Sequence, residues 1–148
     1  MAEKYLYYTL SDLLPPGSHL AVNTGVGMSR GGILTVITED GKITGQESVT
    51  DQELSLLLAL LEDYPYHCPY EHLLAAMWNE NVDVVRTRLN RAADHGTWDL
   101  EIRSIRNTMN RLRKKTNLLG IDHVAIIETG YMLVKLGEGR LSLGHARR

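Results

Sequence analysis

The feature that most constrains this chain is a change of hydrophobic period at Thr50. Before it, Ile33–Thr38 and Ile43–Val49 are β-rich runs separated by Glu39-Asp40-Gly41-Lys42. Asp-Gly between such runs predicts an antiparallel hairpin, its type I′ turn needing positive φ at both central residues. After it, Thr50 and Glu53 have capping-box spacing, each side chain able to satisfy an orphan backbone N–H at a helix start. Leu54, Leu57, Leu58 and Leu61 then recur at helical intervals, with Leu56 and Leu60 widening the stripe. A helix that is apolar on more than one side is covered on more than one side, by the rest of the fold or by a second copy of the chain.

Three more helical patterns follow. The first runs from about Pro69, suited to the first helical position, to Trp78, with Leu73, Leu74, Met77 and Trp78 as its buried side. The second carries Val82, Val85, Leu89 and Ala92 and ends near His95-Gly96. The third spans about Leu100 to Leu118 on the stripe Ile102, Ile105, Met109 and Leu112. A second hairpin closes the pattern: His123–Ile127, a turn at Glu128-Thr129-Gly130, then Tyr131–Leu136. The start is less regular. Tyr5–Leu14 is a strand or a short helix ended by Pro15-Pro16-Gly17, His19–Val26 reads as a strand, and Gly25–Gly32 as a flexible turn. The expected organisation is an N-terminal extension over 1–32, a domain over 33–136 with an enlarged 79–99 segment, and a basic tail over 137–148.

A chain of 148 residues, 43% hydrophobic and 23% charged, has the composition of a folded domain rather than a disordered one. A single cysteine, Cys68, excludes an intrachain disulfide and suits a reducing compartment. No apolar run approaches the roughly 20 residues that span a bilayer, and the start is no signal peptide, so no membrane association and a cytoplasmic location are expected. The net charge of −2 conceals an asymmetry. Residues 1–81 hold 3 Lys/Arg against 11 Asp/Glu, whereas residues 82–116 hold 9 against 4. Positive charge concentrated in this way creates a local field that the total hides.

On a wheel of ~100° per residue, the 100–118 helix buries one face and turns Arg103, Asn107, Asn110, Arg111 and Lys114 to the other. Arg106 and Arg113 lie on one flank and Lys115 on the other. Glu101 is its one acid, so charge pairing within the helix does not account for the basic face. The mixture suits a DNA major groove, where arginine is bidentate to guanine, asparagine to adenine, and lysine meets phosphate.

These pieces together resemble the winged helix-turn-helix DNA-binding domain of the OmpR/PhoB type found in many bacterial response regulators. The motifs are Val49-Thr50-Asp51-Gln52-Glu53-Leu54, Leu73-Leu74 with Trp78, Arg111-Leu112-Arg113-Lys114-Lys115, and Gly130-Tyr131-Met132-Leu133, in the family's order over about 33–136. The resemblance implies an α+β winged helix-turn-helix with an N-terminal antiparallel β-sheet and a C-terminal β-hairpin wing, in a bacterial or phage protein. Residues 103, 106, 107, 110, 111 and 114 would face DNA, and the wing near Glu128-Thr129 would approach the minor groove or backbone. The chain departs from the family in three ways. Residues 79–99 are longer than the family's connection. Val82 to Arg91 also resembles its recognition-helix pattern, so a rival alignment reads DNA with 82–95. No receiver domain fits before residue 33, so no phospho-aspartate switch is expected. The later helix is preferred because Arg111-Leu112-Arg113-Lys114-Lys115 leads into the wing at a suitable distance.

The functional expectation is sequence-selective binding of double-stranded DNA in transcription regulation, without catalysis, cofactor or metal. Its contacts would be Arg103, Arg106, Asn107, Asn110, Arg111, Arg113, Lys114 and Lys115, helped by Arg86, Arg88 and Arg91. RNA polymerase and a second copy of the chain are further candidate partners. The alternative is a protein-interaction module docking on RNA polymerase or another regulator. His67, Cys68 and His72 fit no standard zinc spacing, and Cys68 lacks an orienting acid and oxyanion hole. The glycines of 25–32 lack phosphate-loop spacing. Tyr5, Tyr7 and Tyr8 read as core or interface rather than as base-stacking platforms.

Overall fold

A computed structural model describes residues 4–25 and 31–137. Most of the glycine-rich turn and nearly all of the basic tail therefore lie outside the described residues. The N-terminal half opens as an antiparallel meander of β1 (Lys4–Tyr8), β2 (His19–Thr24), β3 (Gly32–Ile37) and β4 (Ile43–Val49), each strand pairing with its neighbour in sequence. Tyr5 thus begins a strand and not a helix, and Leu10 starts a turn in which its carbonyl accepts from Leu13 and Leu14 N–H. Residues before 33 supply two of the four strands, so they are an integral part of the sheet. Leu20, Val22, Leu34 and Val36 alternate onto its inner face and are buried.

The β3–β4 hairpin forms where Asp-Gly placed it, but with a different turn. Gly41 has φ of 85° while Asp40 is not among the described residues with positive φ, so the turn is not type I′. Gly41 N–H donates to Thr38 O and Thr38 N–H to Lys42 O, closing a three-residue loop with glycine in the left-handed position. The Thr38 hydroxyl also bonds the Asp40 carboxylate, which favours this longer loop. Further along, the ladder shifts register between Val36 and Ile37, where Thr44 is an extra residue of β4.

The helical half contains α1 (Asp51–Leu61), α2 (Tyr70–Trp78), α3 (Val82–Asp94) and α4 (Trp98–Thr116). Both halves of the capping box are made at α1, Glu53 N–H to Thr50 Oγ1 at 3.2 Å and Thr50 N–H to Glu53 Oε1 at 2.9 Å. Leu56, Leu57 and Leu60 are fully buried within this chain. Much of the width of the leucine stripe is thus explained by the fold's own layers, while Leu58 and Ala59 are only partly buried.

Between α1 and α2 the sequence offered no strand, yet β5 (His67–Pro69) forms one. Three residues are too few to show a period of two. Pro69 caps α2 from an extended conformation instead of occupying its first turn. Trp78, expected in the core, is 47% exposed because α2 ends there, with Asn79 in the left-handed region. The chain closes with β6 (Ile121–Ile126) and β7 (Gly130–Lys135), which build a second antiparallel sheet in the order β5-β7-β6. Gly130 permits this: a Cβ there would lie 2.1 Å from the Cys68 carbonyl oxygen of β5.

A single cluster of buried side chains runs from the inner face of the first sheet through α1 and α2 to Ile105, Met109 and Leu112 of α4 and Leu133 of β7. The protein is therefore a mixed α+β fold, four helices packed with two antiparallel sheets around one core. The central test of α4's anchoring is Ile105, which is 0% exposed, against Leu118, which is 69% exposed. Ile105→Ala should lower the stability measured by urea unfolding by about 2–5 kcal/mol. Leu118→Ala should change it by no more than about 0.5 kcal/mol.

Candidate nucleic-acid interface

Helix α4 is 19 residues long, starts two residues earlier than its periodicity implied, and ends in a one-turn 3-10 segment, Asn117–Leu119. Its inner side is Ile102, Ile105, Thr108, Met109, Leu112 and Thr116, all buried against α1, α2, α3, β4 and β6. Burying that stripe fixes the rotation of the helix and so decides which polar side chains meet solvent. Arg103, Asn107, Asn110 and Lys114 fall on the outside, exposed, and among the described residues they have no hydrogen-bond or ion-pair partner.

The other four predicted contacts differ. Arg106 is exposed on one flank, with Asp99 3.7 Å away and itself 83% exposed, a pairing that solvent screens heavily. Arg111 is exposed but steadied by Thr108 Oγ1 at 3.0 Å and lies 3.8 Å from Glu53. Arg113 reaches inward to Asp122 on β6, with Nε 2.8 Å from Oδ1 and Nη2 3.3 Å from Oδ2. Lys115 Nζ is 2.6 Å from Glu53 Oε1. Glu53 and Asp122 are each 1% exposed, so both cations neutralise buried carboxylates. Arg113 and Lys115 therefore hold α4 in place and do not belong to its free basic face. Lys115 and Glu53 lie 62 residues apart, a partnership invisible to any helical wheel.

Two of the three arginines of α3 are also occupied. Arg86 makes a two-pronged contact with Glu71, at 2.7 and 3.2 Å, and a third with Asp83 at 2.9 Å. Arg88 grips Glu80 in the same way, at 2.9 and 3.1 Å, and meets Glu101 at 3.1 Å. The hydrogen bond from Arg86 holds the Glu71 carboxyl below its ordinary pKa, and that from Arg88 does the same for Glu80. Arg91 remains exposed beside a shallow groove formed with Asp83, Val84 and Thr87. The positive charge of α3 is thus largely returned to the protein's own acids, whereas that of α4 is projected outward.

Behind α4, two residues that sequence reasoning did not single out set its position. Burial works against ionisation of Asp122, but the Arg113 hydrogen bond and the His123 backbone N–H outweigh it and hold its pKa below the ordinary value. The His123 ring is buried, with Nε2 3.1 Å from Met109 O and its edge against Tyr131. Burial is the main cause that pushes its pKa down, ahead of the Met109 carbonyl, which acts the other way. The available signal was Asp122-His123 set between Ile121 and Val124, polar residues inside an apolar strand that must find partners. On the wing, Ile127 is 88% exposed and Glu128 has φ of 55°. Cys68 is buried, and burial together with Glu62 and Asp63 pushes its thiol up to about 12, so it is protonated at neutral pH. Among the described residues no three His, Cys, Asp or Glu side chains are grouped to hold a metal ion, and no helix is long and apolar enough to cross a membrane.

Two measurements separate anchoring from display. Arg113→Ala would leave the Asp122 carboxylate buried without its cation and should destabilise the fold by about 2–4 kcal/mol. Arg103→Ala should stay within about 0.5 kcal/mol of wild type by the same chemical denaturation. His123 generates a pH effect of defined sign. Its folded pKa is depressed, so the unfolded chain takes up the proton first. The contribution is present above the ordinary value of about 6.5 and is lost as pH falls from there through the depressed value. Melting temperature should therefore decline less between pH 7.5 and 5.5 in His123→Gln than in wild type, and equal slopes would remove His123 as the cause.

Comparison with protein-family models, curated proteins and solved structures finds no match to this chain, so its function is read from the side chains of α4 themselves.

Proposed function

We propose that the protein binds double-stranded DNA in a sequence-selective manner, reading the major groove with the outward face of α4, and that it regulates transcription by doing so. The observation that carries this is the exposed line Arg103, Asn107, Asn110 and Lys114, whose polar groups have no partner among the described residues while neighbouring cations are paired. From position 103 to 114 the helix rises about 16 Å, matching roughly five base pairs. Arg103, Asn107 and Asn110 suit guanine and adenine edges, and Lys114 suits a phosphate. Arg106 and Arg111 extend the surface at its borders.

The order of elements also supports the reading. A four-stranded sheet, a helical bundle and a terminal hairpin follow one another as the OmpR/PhoB resemblance implies, with α3 occupying the enlarged connection. The pairing of Arg86 and Arg88 with Glu71, Glu80 and Glu101 favours α4 over α3 as the reading helix. The exposed Ile127 at the hairpin tip offers an apolar contact where a wing would meet a groove. A protein-docking role is favoured by a different observation, the exposed Trp78, Val84 and Leu100 on α2, α3 and α4. It would rest on those apolar side chains and would tolerate charge reversal at Arg103 and Lys114.

Binding to a random-sequence duplex, followed by fluorescence anisotropy against salt, decides between them. Contact with about four or five phosphates predicts a log–log slope of about −4. The double variant Arg103→Glu/Lys114→Glu should lose at least about tenfold in affinity at unchanged melting temperature, because among the described residues the two cations contribute to no internal pair. A slope near zero, or full affinity in that variant, would exclude α4 as the DNA surface.

A further inference from the structure

The first strand combines two unmet interactions at one place. β1 is an edge of its sheet, and among the described residues no strand pairs with its outer side. On the outward face of that edge Tyr5 and Tyr7 are 59% and 66% exposed and stack on each other, with ring centroids 6.2 Å apart and planes 14° from parallel. Large aromatic area kept in water beside an open hydrogen-bonding edge is costly to leave uncovered, and proteins ordinarily guard such edges. The usual guards are sparse here. β1 contains no proline, its pairing with β2 runs without a bulge from Lys4↔Thr24 to Tyr8↔Leu20, and Lys4 is its one charged residue.

We propose that β1 pairs antiparallel with β1 of a second copy of this chain, joining the two four-stranded sheets edge to edge into one sheet of eight strands. The occupant follows from self-complementarity. In a two-fold register centred on Leu6, Tyr5 lies opposite Tyr7 of the other copy and Tyr7 opposite its Tyr5, so four rings form one row on the same face. Lys4 falls opposite Tyr8 and not opposite its own copy, so no like charges meet across the pair. The residues beside the tyrosines on β2, Ala21 and Asn23, are uncharged as well. Acidic residues dominate positions 1–81, whereas β1 itself carries no acid, so two such halves can meet there without carboxylates facing each other across the pair.

The strand is five residues long, so the new contact is small, at or below the low end for specific complexes. The expected dimer is accordingly weak, half-formed at about 1–100 µM. Sedimentation velocity on the full chain without DNA tests this independently of any nucleic-acid role. Wild type should shift from monomer to dimer as concentration rises through that range. Tyr5→Glu/Tyr7→Glu should be monomeric throughout and keep the wild-type circular dichroism spectrum, because both side chains point to solvent. A wild type that is monomeric at about 100 µM would overturn the proposal. So would a glutamate variant that dimerises like wild type, since the contact would then lie elsewhere.

Discussion

The architecture depends on one buried carboxylate. Glu53 accepts from the Thr50 backbone at the start of α1 and from Lys115 at the end of α4, with Arg111 at the edge of reach. At 1% exposure an ionised side chain is strongly disfavoured unless its charge is answered nearby. The capping bond alone does not answer it; the lysine does. A local device for starting a helix thereby becomes a tertiary constraint that sets where the last turn of α4 must lie. Asp122 repeats the logic from the opposite side, drawing Arg113 towards β6. Between them the two acids hold the C-terminal end of α4 on both flanks, and the basic residues clustered there also complement the helix dipole.

Segregation of roles among like residues follows from this clamp. Arg103 and Arg113 are chemically identical and ten positions apart on one helix, yet one faces solvent and the other completes a buried pair. What distinguishes them is Arg113's place on the flank of the helix, within reach of Asp122 on the strand behind it. The same contrast separates α3 from α4, two basic helices of which only the second keeps an outward row of uncommitted donors. Net charge by segment located the basic region correctly, but it could not say which cations were already answered. Coulomb partners are a property of the fold, whereas charge counts are a property of the chain.

Much of the fold was legible because its signals are local. The capping box of Thr50 and Glu53, the stripe Ile102, Ile105, Met109 and Leu112, and the position of both hairpins depend on residues within a few places of one another. The exposed row on α4 was legible for the same reason, since burying a stripe determines the opposite face. Features that need distant partners were hidden. β5 is too short for periodicity and exists because Gly130 lets β7 approach it. Trp78 looked like core from its composition, but the left-handed Asn79 ends the helix just beyond it. The turn at Gly41 differed from expectation because the Thr38 hydroxyl competes for Asp40, a side-chain bond that dipeptide statistics do not contain. Glu53–Lys115 and Asp122–Arg113 required the tertiary structure outright.

The three-residue strand β5 has a mechanical consequence. It joins the α1–α2 connection to the central strand of the hairpin sheet, and Tyr70 N–H, the first of α2, donates to Thr129 O at the hairpin turn at 2.9 Å. The turn end of the hairpin is therefore tied to the helical body at two levels and cannot swing freely about the far end of its sheet. The tip bearing Ile127 and the exposed row of α4 keep a fixed separation, like the jaws of a caliper already set.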